Sequence, residues 1–324
     1  MHKKIDSYKL EFDKSFFVRQ MINTVIVVFI MLIFYSCLID KSKQAALHYK
    51  TAMQYYSDFR YAESLEEFEE YLKVSNDIEN KNDSTDLPAQ HFMAICASRC
   101  DSDSYADSLF YGAIEKFVFS NESAEFCSLL IDYGIHLQKT NRYADAQEVF
   151  KRSQLLTKQN RFEDLYVYSE ILLAKNYRIQ NEFKKTELII NSFSNTEQKN
   201  WSSKNKVEFL SEKALYYQYL SNFTEAEKLA KEALRIARAS GDNNLLALSY
   251  YTVVQTRLAN RSLKNLINFI DSARYYYREI NDLKQLACTD ILQIEYFIHC
   301  SHYDKAIVLL NRTENYLRHR KDTA

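Results

Sequence analysis

Residues 130–153 read LIDYGIHLQKTNRYADAQEVFKRS, and much of the chain is a variation on them. Leu130, Tyr133, Gly134 and Leu137 fall at helical spacing, and after a polar turn Tyr143, Ala146, Phe150 and Ser153 do so again. A small residue on each segment lets two helices approach closely, and the aromatics fill the space beside that contact. Such a pattern builds a scaffold and carries no chemistry of its own.

With Tyr143 as a marker, steps of forty residues forward reach Phe183, Phe223, Leu263 and Tyr303; backward steps reach Tyr105 and Tyr61 at slightly uneven intervals. Six of these seven are aromatic, where the overall aromatic content of 14% predicts about one. Three residues after the marker come Ser64, Ser108, Ala146, Thr186, Ala226, Leu266 and Ala306; nine before it come Ala52, Cys96, Gly134, Ala174, Ala214, Val254 and Ile294. Most of both sets are small, and neither set was imposed by the choice of marker. Seven helical hairpins are expected.

The pattern resembles the tetratricopeptide (TPR) family over residues 44–320, which implies an all-α fold: a right-handed α-solenoid of about seven TPR-like hairpins. The second unit departs from it with Arg99 and Gly112 at bulky apolar slots, and the sixth with Leu263 and Leu266. The period of about forty exceeds the usual thirty-four or so and predicts longer helices. HEAT-like repeats have similar periods but usually carry a proline-marked first helix, and this chain has one proline.

Three glycines and one proline in 324 residues leave too few turn residues for a sheet-rich fold. Hydrophobic residues at 47% support a buried core, and a solenoid needs no second domain at this length because each unit packs on its neighbours. A net charge of −1 offers no field for nucleic acid, so no nucleic-acid partner is expected.

Residues 1–20 are polar and read as a cytoplasmic tail or a signal n-region. Residues 21–39, MINTVIVVFIMLIFYSCLI, carry no charge and read as a transmembrane helix or a lipoprotein signal h-region. Phe34-Tyr35-Ser36-Cys37 resembles a lipoprotein cleavage site, which makes Cys37 the lipidation candidate. The lysines and arginine that precede the segment favour an internal N-terminus. Either membrane reading predicts a membrane-anchored protein with its repeats outside the cytoplasm, periplasmic or on the surface. A buried soluble helix is the third reading.

Residues 75–88 form the longest break in the rhythm and read as a loop insertion, with Leu87-Pro88 opening the next helix. Asn141, Asn181, Ser221 and Ser301 fall in equivalent inter-helix turns, where short polar side chains bond their own backbone. Ser240-Gly241-Asp242 reads as a helix stop and a fresh N-cap. At the other end Ala306-Ile307-Val308-Leu309-Leu310 is apolar on every side. That implies a further partner surface at the C-terminal helix: a second copy of the chain, another protein, or a domain that a longer relative would carry.

No phosphate loop, GxSxG elbow or HExxH occurs, and the carboxylates are spread along amphipathic helices. No catalytic, cofactor or metal site is assigned. His299, Cys300 and His302 cluster without the further ligands a metal needs, and the cysteine spacings announce no disulfide. In the TPR family the first helix of each hairpin lines a concave groove. The resemblance therefore implies that Tyr49, Met53, Tyr56, Tyr168, Ile171, Lys175, Arg178, Leu215, Gln218, Tyr251 and Gln255 form a groove for a protein or peptide, unless these tyrosines merely bridge neighbouring units. The family's carboxylate clamp of lysine and asparagines is not matched. The expected function is thus a non-catalytic scaffold. Alternatives are the sensory half of a bacterial signalling or transcriptional regulator lacking its DNA-binding domain, and an enzyme on an α-solenoid.

Overall fold

A computed structural model describes Val27 and residues 41–76, 87–117, 123–193 and 197–322. Among them are fourteen α-helices and no strand. They are α1 (41–57), α2 (Tyr61–Asn76), α3 (Leu87–Arg99), α4 (Asp103–Phe117), α5 (Ala124–Lys139), α6 (Tyr143–Gln159), α7 (Glu163–Ile179), α8 (Phe183–Ser192), α9 (Ser203–Tyr219), α10 (Phe223–Ser240), α11 (Asn243–Ala259), α12 (Leu266–Glu279), α13 (Leu283–His299) and α14 (Tyr303–Asp322). They pair in chain order as seven hairpins stacked into a TPR-like solenoid.

One turn geometry explains how so few glycines suffice. Each hairpin turn places a single residue in the left-handed region: Phe59, Asp101, Asn141, Asn181, Ser221, Arg261 and Ser301, with φ between 52° and 63°. In each, the amide of the residue after it reaches back five residues, as from Arg142 N to Leu137 O at 2.8 Å and from His302 N to Phe297 O at 2.8 Å. This is a Schellman closure, which satisfies carbonyls that the helix end leaves orphaned. Asn and Asp tolerate the conformation; at Phe59, Ser221, Arg261 and Ser301 it costs about 1–2 kcal/mol. Gly241 ends α10 with a left-handed φ of 69° and a single bond from its own N to Ala237 O at 3.2 Å, and Asp242 caps α11 by accepting from Asn244 N and Leu245 N.

The turns also fix the register. Counted from them, the crossing on each second helix is made by Ser64, Ala106, Ala146, Thr186, Ala226, Leu266 and Ala306, all of them buried. The second unit therefore starts at Asp103, two residues before the aromatic marker. Ala94 and Ala106 make its crossing in place of Cys96 and Ser108, and Tyr105 is exposed. The aromatic at 105 misled the sequence alignment because Asp103 fills the marker slot. At two crossings a hydroxyl adds a bond to the facing carbonyl: Ser64 Oγ donates to Ala52 O at 2.9 Å, and Thr186 Oγ1 to Ala174 O at 3.3 Å. Leu266, too large for its slot, is accommodated because α12 starts late, after a second left-handed residue at Asn265.

First and second helices differ in how they are buried. Residues Val167 to Ala174 of α7 are buried without interruption, so this helix is covered on every side. On α10 only Ala226, Ala230, Ala233, Leu234 and Ala237 are buried, a single stripe facing the hairpin partner. First helices thus form the inner layer and second helices the outer one. α3 opens at Leu87 with Pro88 in its first turn, where a missing N–H leaves no bond unmade.

The expectation of a membrane-anchored, extracytoplasmic protein is corrected. No helix among the described residues is long and apolar enough to cross a membrane. The longest, α14, carries Asp304, Lys305, Arg312 and Glu314 along its length. Residues 1–20, the segment 21–39 apart from Val27, and Cys37 lie outside the described residues. On α14, Ala306 and Leu309 pack on Ile294, while Ile307, Val308 and Leu310 are exposed.

Candidate functional site

The inner layer winds far enough to meet itself. Arg99, the last residue of α3, donates from Nη1 to Asp282 Oδ2 at 2.8 Å, across 183 residues of chain. Lys284 on α13 donates from Nζ to the carbonyl oxygen of Lys139 at the end of α5. Phe59, in the first hairpin turn, packs against Ala247, Tyr277 and Ile280. The first three hairpins are thereby joined to the last two, and the concave side becomes the interior of the superhelix. All three joins involve residues at helix ends, which the hairpin turns and the link between α12 and α13 bring together.

Tyrosines and charged groups converge in that interior. The ring of Tyr56 lies 5.0 Å from Phe92 and 5.8 Å from Tyr61, and Arg99 sits over Tyr61 at 5.8 Å. The rings of Tyr251 and Tyr277 are 6.0 Å apart, edge to face. Burial, and then the carboxylates of Glu208 and Asp132, hold the Tyr168 phenol well above the ordinary tyrosine range. Burial raises Tyr277 likewise, followed by Asp282, Tyr251 and Glu208. Tyr56 and Tyr251 are also raised, mainly by burial. For Arg99, burial works against the charge, but Asp282 and the nearby phenols outweigh it and the guanidinium is held above its usual value. The chemistry on offer is recognition by aromatic faces and fixed charges.

The eleven residues expected in the groove divide into several groups. Tyr56, Tyr168 and Tyr251 belong to the interior. Ile171 is buried among Val167, Ile190, Phe209 and Tyr216, between α7, α8 and α9. Tyr49 packs on Phe68 and Tyr71 of α2 at 5.7 and 5.4 Å, and Met53 joins the same cluster. Arg178 forms a two-pronged ion pair with Glu212 on α9, from Nε at 2.5 Å and Nη2 at 3.1 Å, so it fastens neighbouring units. Lys175 is half-buried and forms no ion pair among the described residues. Gln218 and Gln255 each hold a buried side-chain oxygen with no hydrogen-bond partner, and Leu215 is half-buried.

Sequence reasoning missed Arg99, Asp132, Glu208, Tyr277 and Asp282. A signal existed for Glu208, which precedes Leu215 by seven residues and so shares its helix face. None existed for Arg99 and Asp282, whose meeting depends on the pitch of the whole superhelix. Asp132 accepts from His91 Nε2 at 2.9 Å, and Lys204 Nζ stands 3.8 Å from the centre of the Tyr168 ring. Among the described residues no three His, Cys, Asp or Glu side chains come together as metal ligands.

Two solved structures share this architecture over most of the chain. A Rap protein complexed with Competence and Sporulation Factor matches 87% of this chain and 76% of its own, with 10% identity and a TM-score of 0.69. The Rap conjugation gene regulator of the plasmid pLS20, in complex with the Phr* peptide, matches 86% and 76%, with 11% identity and a TM-score of 0.66. A Podosopora anserina protein of nearly identical TPR-like repeats covers 59% of this chain and 94% of its own at 14% identity, with a TM-score of 0.44. No family model and no curated protein matches the sequence. The Rap likenesses establish the fold class, a TPR-like helical solenoid.

Proposed function

We propose that this chain is a non-catalytic receptor for an extended peptide, or for the tail of a partner protein, held inside the closed superhelix. One observation carries the reading: the solenoid closes round an interior that is walled by tyrosines and holds polar groups without partners. Tyrosine gives rigid contact area at low entropic cost. Buried acceptors such as Gln218 Oε1 and Gln255 Oε1 are costly unless something bonds them, and a peptide backbone supplies donors at regular intervals. The two Rap chains, alike in fold, hold a factor and a peptide, which agrees with this reading.

Retention of a random soluble peptide library on the immobilised full-length chain tests it. The comparison is a variant carrying Lys175→Glu and Gln255→Ala, two positions without structural partners, checked for an unchanged thermal melt. Peptides held by the wild type and lost by the variant are expected. Equal retention by both, or none by the wild type, rejects the reading.

A further inference from the structure

Leu310 on α14 is 50% exposed, although its place in the repeat is sealed in every earlier hairpin. Counted from the turns, its counterparts are Phe68, Phe110, Phe150, Ile190, Ala230 and Ile270, each no more than 2% exposed. The inner helix of the following hairpin does the sealing. Phe68 stacks on Phe92 of α3 at 6.0 Å, and Phe110 lies 5.3 Å from Tyr133 of α5. Ile298 on α13, 49% exposed, follows the same rule. Its counterparts reach the next inner helix: Tyr56 to Phe92 at 5.0 Å, Ser98 to His136 at 2.8 Å, Gln138 to Asn176 at 3.1 Å and Arg178 to Glu212 at 3.1 Å. Ile291 and Ile307, 50% and 56% exposed, stand where Ile171 meets α9 and Glu227 meets α11.

We propose that this open face of α13 and α14 binds the same face of a second copy across a two-fold axis, so that four helices pack together. The pairing is independent of what the interior binds.

The occupant follows from what the two ends of the solenoid offer. On α1 the positions that would meet a preceding unit are Lys50 and Gln54, both exposed, where the second and third hairpins place Phe92 and His136. Head-to-tail stacking would press the Lys50 ammonium into Ile298 and Leu310, and burying an unpaired charge is costly. The polar end is thus a cap and the apolar end is not. An isologous pair uses the apolar end twice and leaves no open surface for further growth. Ile291 and Ile298 are one heptad apart, and Ile307 and Leu310 three residues apart, the spacing of a seam that packs helix on helix. From helix length and diameter, the face measures about 25 Å by 20 Å. With side-chain relief it approaches the roughly 800 Å² per partner that a stable dimer buries. Val308 is no part of it: it is exposed, and so are its counterparts Leu188, Lys228 and Asn268.

Sedimentation equilibrium of the full chain, over about a hundredfold range of concentration, tests the pairing. A monomer–dimer equilibrium is expected. Leu310→Asp and Ile298→Asp, at side chains already half exposed in the single chain, each raise the dissociation constant by roughly tenfold or more. Val308→Asp leaves it unchanged, and all three variants keep the wild-type far-ultraviolet circular dichroism. Ile307→p-benzoylphenylalanine, irradiated in a mixture of isotope-labelled and unlabelled chains, crosslinks to α13 or α14 of the other copy. A chain that stays monomeric throughout hands the face to a helix of another protein, and a crosslink within one chain to residues 1–40 hands it to that segment; either overturns the proposal. So does a dimer that survives Leu310→Asp, or a crosslink between copies that lands on α1.

Discussion

Arg99 and Asp282 are 183 residues apart in sequence and 2.8 Å apart in space. Their ion pair fastens the last hairpins to the first across the concave side. With side chains 34% and 19% exposed, solvent screens the pair in part. Removing one partner is expected to cost about 1–2 kcal/mol, less than the full loss seen for a sealed pair. Arg99→Ala should also loosen the superhelix, because Phe59 and Lys284 then hold the join alone. Small-angle scattering and chemical denaturation measure the two effects together. An unchanged radius of gyration with unchanged stability would show that hairpin stacking alone sets the pitch.

Gly134 packs against the face of Phe150, and a Cβ built at this glycine would sit 2.4 Å from Phe150 Cε1. The ring is fully buried and has nowhere to retreat. Gly134→Ala should therefore destabilise by about 1–3 kcal/mol, the usual range for overpacking. Adding Phe150→Leu should return part of that loss, since the smaller side chain vacates the contested space. Gly112 is the control: in the middle of α4, with nothing within 4 Å of an added Cβ, its replacement by alanine should stabilise by up to about 1 kcal/mol. Thermal unfolding of the three variants decides whether helix propensity or the crossing governs position 134.

The contrast between these two relationships marks what a sequence can disclose. Gly134 and Phe150 belong to one hairpin, so helical spacing alone brings them together, and the same holds for Ala174 with Thr186. The register of the second hairpin was misread because an aromatic at Tyr105 outweighed a left-handed turn at Asp101, which composition does not announce. Ile171 was placed in the groove although it packs between units, because a helix face separates only coarsely into groove and neighbour. Arg99, Asp282 and Tyr277 could not be found at all. Their proximity accumulates from small rotations at successive hairpin junctions, and no local pattern encodes that sum.

Cys96 and Cys127 are buried thiols, and burial pushes Cys96 up to about 12 and Cys127 to about 11. Only the thiolate attacks a disulfide reagent, so near pH 8 the reactive fraction at Cys96 is on the order of one in ten thousand. Labelling of the native protein should spare these two positions, and labelling in denaturant should reach both. Peptide mapping by mass spectrometry locates the labelled sites. Rapid native labelling of Cys96 would mean that α3 separates from α2 far more often than its packing implies.

His136 is buried on α5, its Nδ1 2.8 Å from Ser98 Oγ and its Nε2 3.5 Å from Asp107. Burial lowers its pKa, against the opposing pull of Asp107 and Asp103. In the unfolded chain the group titrates near about 6.5. Above that pH it is neutral in both states and contributes no pH dependence. As the pH falls below about 6.5, the unfolded chain takes up a proton that the folded chain resists, so stability declines until the pH reaches the folded pKa. His136→Gln lacks this proton uptake, and its stability should change less over the same range. The difference in unfolding free energy between wild type and variant should therefore narrow between about pH 7 and about pH 5. A gap that stays constant across that window would mean that the imidazole binds its proton equally well in both states, and that the space between α3, α4 and α5 admits the charge.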